Sequence, residues 1–300
     1  MNAPVVVDAV DSLWPSMSAS AVIPAGSEAK CRFGLNTILC LEHFSDPAFR
    51  ELIHGAFPHL AHQWPNFPTS REQAKMWEVS QCIRAFGELG VLRPDAELLG
   101  VGAGYEITVF LLTQHVKRVF ATDLYATNEI WNEANRRMLA HPEEFVPDLV
   151  AWDRNRLVVQ HMDALDLRFV DNSLDGVFSC GSIEHFGSLT NVARSAREIG
   201  RVLKPGGVLA LATECRISGP ADGEGIPGAL IFTPAMIDEY IVKPSGLRRV
   251  DRPMMQTSAA TLECVYPLSD AIREPRDRSI ALSHDGYRWT SGFVCLAKPA

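Results

Sequence analysis

The run Leu98-Leu99-Gly100-Val101-Gly102-Ala103-Gly104 stands between a strand-like segment, Glu97 to Leu99, and a helix-like one, Glu106 to His115. Three glycines in that position require a backbone that turns tightly and lets a ligand approach closely, as at the turn from a strand into a helix in nucleotide-binding α/β chains. The spacing is G-x-G-x-G. The dinucleotide fingerprint G-x-G-x-x-G fails from either start, because it demands glycine at Tyr105 or at Ile107. A glycine-rich turn also serves α/β proteins that bind nothing there, so the loop constrains the fold before it constrains the function.

Around the loop, strand-like runs at Arg118 to Ala121, Leu157 to Gln160, Gly176 to Ser179 and Val208 to Ala212 alternate with helical stretches. Those stretches, Glu106 to His115, Asn128 to Leu139 and Asn191 to Leu203, each show one apolar stripe. This order predicts a Rossmann-like α/β fold: a seven-stranded, mostly parallel sheet with helices on both faces. Tyr287 to Ala297 reads as the closing strand, with Gly246 to Asp251 as a candidate neighbour. Upstream, Ser70 and Gln73 suit a capping box for a helix carrying Met76, Ile83, Phe86 and Leu89 and ended by Gly90 and Pro94.

Residues 1–28, rich in Ala, Ser, Pro and Val without a clear period, read as a loosely ordered arm, and 29–74 as an N-terminal helical extension or lid. Residues 75–300 form the α/β domain. A segment rich in Gly, Pro and Asp, Gly219 to Gly228, opens an insertion near 216–285 that covers the strand ends, with Thr233-Pro234 starting a helix through Tyr240.

A net charge of -8 with scattered Lys and Arg offers no field for a phosphate backbone, so nucleic acid is not the expected partner. Seven cysteines without a CxxC suggest neither a disulfide framework nor a zinc site. The first 29 residues hold no Lys or Arg, and no apolar run reaches membrane-spanning length. The expected setting is the cytoplasm.

Two acids follow strand ends. Asp123, 23 residues after Gly100, either accepts both hydroxyl hydrogens of a ribose or caps the next helix. Asp163, in His161-Met162-Asp163-Ala164, can accept the exocyclic amine of an adenine while Met162 packs on the ring.

Taken together, these segments resemble the class I S-adenosylmethionine-dependent methyltransferases, in particular the branch with Glu-His after strand four and Leu-Lys-Pro-Gly-Gly before strand five. The counterparts are Ser173-Leu174-Asp175-Gly176-Val177-Phe178-Ser179, Glu184-His185 and Arg201-Val202-Leu203-Lys204-Pro205-Gly206-Gly207, and the resemblance spans about residues 75 to 215. It implies S-adenosylmethionine as cofactor. Gly100, Gly102 and Gly104 would hold its methionine moiety, Asp123 the ribose and Asp163 the adenine, with Leu124 and Met162 on either side of the base and Cys180 and Gly181 beside the sulfonium. One departure stands out: the family commonly has an acid where this chain has Leu98, with Glu97 displaced by one. Either Glu97 or a water substitutes, or the amino group is held differently.

Methyl transfer needs alignment and, for some acceptors, removal of a proton. His185 is the candidate base, since imidazole titrates near neutrality; otherwise it and Glu184 anchor the next helix. Gly181 stands where some relatives place a third acid for magnesium, so no metal is expected. Trp77, Tyr125, Trp131, Glu214, His284 and Asp285 are candidates to shape the acceptor pocket, Trp77 and Trp131 fitting a core role better. His54, His59 and His62 read as surface or capping residues. The expected reaction is methyl transfer to a small molecule, at an oxygen of a sugar, lipid-linked or secondary-metabolite acceptor. The alternatives are a non-catalytic S-adenosylmethionine-binding module or partner subunit and a nicotinamide-dependent oxidoreductase, the latter disfavoured because Tyr240 and Lys243 lie only three apart and make no YxxxK pair.

Overall fold

The computed structural model describes residues 31–127, 134–273 and 277–300. The arm 1–28 and the first half of the expected helix from Asn128, Trp131 included, lie outside the described residues.

Seven strands make the main sheet: β1 Glu97–Val101, β2 Arg118–Asp123, β3 Leu157–His161, β4 Leu174–Cys180, β5 Leu203–Ser218, β6 Ala281–His284 and β7 Tyr287–Ala297. Their spatial order is β3-β2-β1-β4-β5-β7-β6, parallel from β3 to β5, with β7 antiparallel to both β5 and β6. Three short strands, Thr37–Ile38 and Arg248–Arg249 on β7 and Val265–Pro267 on β6, bring the sheet to ten rather than seven. The chain reverses its direction of progress between β1 and β4. In an open α/β sheet the crevice outside the carboxyl ends of such strands is where ligands bind.

Both faces of the sheet are covered, so its central strands are apolar at successive positions instead of alternating. Leu98, Val119, Phe178 and Ala210 pack on one side against α3 (Ala74–Glu88) and α4 (Ile107–Leu112). Leu99, Val177, Leu209 and Leu211 pack on the other against α5 (Leu189–Val202), whose start is capped by Ser188 accepting from the Asn191 amide at 3.2 Å.

The N-terminal extension, with α1 (Pro47–Ala56) and α2 (Pro58–Gln63), joins the first of these cores through Leu39, Phe49 and Ile53. Asn36, fully buried, stitches it to the sheet: its amide donates to Asp251 at 2.8 Å and to the Cys295 carbonyl at 2.9 Å and accepts from Arg249 and the Cys295 amide at 3.1 Å. Two local expectations change. Ser70 takes a left-handed φ of +64° and Gln73 bridges to Ser279, so α3 begins at Ala74 without a capping box. Arg136–Leu139 forms a 3-10 turn where an α-helix was expected.

Asp175 locks the amino-terminal end of the sheet. Its carboxylate pairs with Arg93 and accepts from the Glu97 amide and from Lys204 Nζ, both at 2.9 Å. Burial pushes this carboxyl up, but the Lys204 and Glu97 hydrogen bonds and the two cations outweigh it and hold it below its ordinary range. Asp175→Asn should therefore lower stability by about 3 kcal/mol at neutral pH, the lower end for a broken buried pair because Arg93 and Lys204 are themselves about 40% exposed. A carboxyl depressed in the folded state contributes above its unfolded pKa, and the contribution fades as pH falls through the folded value. Denaturant unfolding at pH 7 and in the acid range should show the gap between wild type and variant closing; a pH-independent gap would rule out the charge as its cause.

Candidate active site

At the carboxyl end of β1 the chain bends through Gly102 (φ +60°) and Gly104 (φ +48°), left-handed conformations that side chains disfavour. The bend is tied to β2: Thr122 Oγ1 donates to the Gly100 carbonyl at 2.8 Å, the Ala103 amide to the Thr122 carbonyl at 3.0 Å, and the Gly104 amide to Asp123 Oδ2 at 2.9 Å. The other Asp123 oxygen accepts from the Leu124 amide at 2.7 Å, and the buried Tyr125 hydroxyl donates to the Gly104 carbonyl. Asp123 thus both ends β2 and fixes the glycine loop. Met162, whose amide donates to the Asp123 carbonyl at 3.0 Å, is set beside it, followed by the exposed Asp163.

The loop borders a cavity of about 710 Å3, and Gly102, Gly104, Asp123, Leu124, Met162, Asp163, Gly181 and His185 all line it. Gly100 and Cys180 do not. A Cβ on Gly100 would lie 2.6 Å from Phe178, so that glycine serves the packing of β1 on β4. The Cys180 side chain is buried beside Cys82, and the hydrogen bond between them, with burial, pushes the thiol well above its ordinary range. Gly102 is different, for a Cβ there would stand 1.7 Å from Ser182 Oγ across the cavity mouth.

The acid displaced to Glu97 does not reach the cavity. Its carboxylate pairs with Lys117 at 3.0 Å, and Leu98 is fully buried. Charge at this end of the cavity comes instead from two residues the sequence did not single out, Lys75 and Glu106. Lys75 Nζ lies 2.8 Å from Glu106 Oε1, 2.8 Å from Glu78 Oε2 and 2.8 Å from the Cys180 carbonyl. Loss of water around the ammonium opposes its charge, although the side chain as a whole is about half exposed, but the Glu106 and Glu78 carboxylates outweigh it and hold the ammonium well above the usual lysine range.

Beneath Gly181, Glu184 is buried and accepts from Thr213 Oγ1 at 2.9 Å, and burial raises its carboxyl. Glu214 is pushed well above the ordinary range by burial and by the nearby Glu184 and Glu78 carboxylates. His185 sits on the cavity wall with Nδ1 2.8 Å from the Gly228 carbonyl, which belongs to the covering insertion. That carbonyl can only accept, so Nδ1 carries the proton and Nε2 is the basic nitrogen.

Much of the remaining lining is apolar and comes partly from the extension: Phe57, Val79, Ile107, Phe145, Pro147 and Phe186. His59 joins it, where the sequence suggested only a surface role; burial lowers its pKa, and Nδ1 has no hydrogen-bond partner among the described residues. Trp77 is core, its Nε1 donating to His43 at 3.0 Å, and His284 and Asp285 pair with each other away from the cavity.

The strand order and the cavity over β1 and β4 are matched by sequence: residues 99–211 fit the family model of a methyltransferase domain. The chain carries a methyltransferase domain. Its cofactor is S-adenosylmethionine, and the cradle around Gly102, the paired Asp123 and the apolar flanks at Leu124 and Met162 fit an adenosine with a charged head. Among solved structures, a protein from Galdieria sulphuraria assigned as a sarcosine dimethylglycine methyltransferase is similar at 16% identity and a TM-score of 0.51, over 81% of this chain and 98% of that one. The 4+2 cyclase SpnF is similar at 17% identity and a TM-score of 0.50, over 75% and 84%. At these identities the likeness is one of fold. Among the described residues no helix of the methyltransferase is long and apolar enough to cross a membrane.

Proposed function

We propose that this enzyme transfers the methyl group of S-adenosylmethionine to a hydroxyl oxygen of a small, largely apolar acceptor, with His185 as the base. The observation that carries the reading is that His185 lines the same cavity as the glycine loop, with its tautomer set by Gly228. When bound, the cofactor supplies a methyl group already activated by an adjoining sulfonium.

Gly102 and Gly104 would hold its methionine end, Asp123 the ribose hydroxyls, Asp163 the adenine amine, and Leu124 and Met162 the faces of the base. His185 Nε2 takes the proton from the acceptor hydroxyl as the oxygen becomes a nucleophile. Phe57, Phe145 and Phe186 exclude water and align the acceptor, which favours lipid-like or aromatic alcohols over sugars. Glu184-His185 and Leu203-Lys204-Pro205-Gly206-Gly207 support the branch of the family named above. All seven cysteines carry free thiols, which supports a cytoplasmic setting.

The test is transfer of labelled methyl from S-adenosylmethionine to a panel of apolar alcohols and phenols, sugars and amines. Label in an O-methyl product of the first group is expected. Label confined to sugars or amines would overturn the acceptor class, and tight cofactor binding without transfer to any of them would favour a non-catalytic module.

A further inference from the structure

Lys75 Nζ donates to Glu106 Oε1 and to the Cys180 carbonyl at 2.8 Å each, and it forms an ion pair with Glu78 Oε2, also at 2.8 Å, that is not a hydrogen bond. This nest of oxygens is fixed while its occupant can move. Glu78 is 5% exposed, with its other oxygen accepting from Ser291, whereas the Lys75 side chain, on a flexible four-carbon stem, keeps 48% of its surface accessible along the cavity. Two carboxylates face one cation, which leaves a surplus negative charge at the glycine-loop end. A Cβ on Gly181 would come within 3.0 Å of Nζ and 3.5 Å of Glu78 Oε2, so glycine keeps room at this point. No acid from β1 reaches the same end, since Leu98 is buried and Glu97 is paired with Lys117.

We propose that this nest is the site for the α-ammonium of the methionine moiety and that Lys75 is its placeholder: the incoming ammonium replaces Nζ among Glu106, Glu78 and the Cys180 carbonyl, and Lys75 turns to pair with the α-carboxylate. The exchange conserves every charge contact. Two carboxylates and one cation become three anions and two cations in alternation, so the zwitterionic head is matched without the acid that Leu98 replaces. The inference rests on the cofactor lying in this cavity as proposed above.

Calorimetric titration with two ligands tests it: S-adenosylhomocysteine, and 5′-methylthioadenosine, which has the same adenosine and a thioether sulfur but no amino-acid head. In Lys75→Met and in Glu106→Gln, affinity for the first should fall by about tenfold or more, the scale of a hydrogen bond to a charged group. Affinity for the second should stay within about twofold of wild type. Equal losses for both ligands in both variants would mean that these residues merely hold the site together and would overturn the proposal. So would unchanged binding of S-adenosylhomocysteine. A wild-type protein that binds neither ligand would instead remove the cofactor site on which the proposal stands.

Discussion

His185→Ala should slow methyl transfer by about 10²- to 10⁴-fold, the usual contribution of a positioned acid or base, while S-adenosylhomocysteine binds as in wild type. The alanine alone does not separate chemistry from scaffolding, because it also removes the 2.8 Å hydrogen bond that ties the insertion to the cavity wall through Gly228. His185→Asn does separate them. An asparagine amide nitrogen stands where Nδ1 does and can donate to the Gly228 carbonyl, but it has no basic nitrogen, so it keeps the tie and loses the proton acceptor. The two variants should be similarly slow. An asparagine enzyme with near-wild-type kcat would reduce His185 to an anchor for the insertion.

Gly102→Ala should act on binding instead, lowering affinity for S-adenosylhomocysteine by at least about 100-fold, or about 2.7 kcal/mol. Two effects act together. A left-handed non-glycine residue costs about 1–2 kcal/mol, and the new methyl would stand 1.7 Å from Ser182 Oγ and 2.7 Å from its Cβ, so the two lips of the cavity must part. Gly206→Ala separates these terms. Gly206 is also left-handed, at φ +78°, but has open space where a Cβ would go and lies in the Leu203-Lys204-Pro205-Gly206-Gly207 segment, outside the cavity lining. Gly206→Ala should lose only the smaller, conformational share of stability in thermal unfolding, Gly102→Ala that share and the cost of the clash, and only Gly102→Ala should lose binding in calorimetry. Retained binding in Gly102→Ala would show that the cradle yields or that the ligand lies elsewhere.

The sheet was legible because its strands are buried on both faces and write themselves as short apolar runs between glycines and helices; β1 to β4 lie within a few residues of the expected runs. β5 was not legible in full. It continues from Val208–Ala212 out to Ser218, through Glu214 and Arg216, because β7 pairs with it along that whole length, and such long-range pairing leaves no periodic trace in polar residues. The glycine loop, Asp123, Met162, Asp163 and His185 stand in local motifs, so their convergence on one cavity could be expected from the family resemblance those motifs carry. Lys75 and His59 could not be found that way. Lys75 meets Glu106 across 31 residues and Cys180 across 105, and His59 gains its place only when α2 folds over the sheet. The displaced acid misled for a related reason: one position along a strand is a change of face, and Glu97 therefore meets Lys117 instead of the cavity.

The stitching of the N-terminal extension to the sheet bears on how acceptor preference can change over evolutionary time. A lid hinged on a loop can be exchanged for another with little penalty to the body beneath it. Here the wall that carries Phe57 and His59 is continuous with Leu39, Phe49 and Ile53 in the main core, and Asn36 bonds it to β7. Swapping this segment between relatives would uncover Trp77 and Phe293 together with the cavity. New acceptors are therefore more readily reached by single replacements on the cavity wall than by recombination of whole segments, and the scope of this enzyme should drift in small steps.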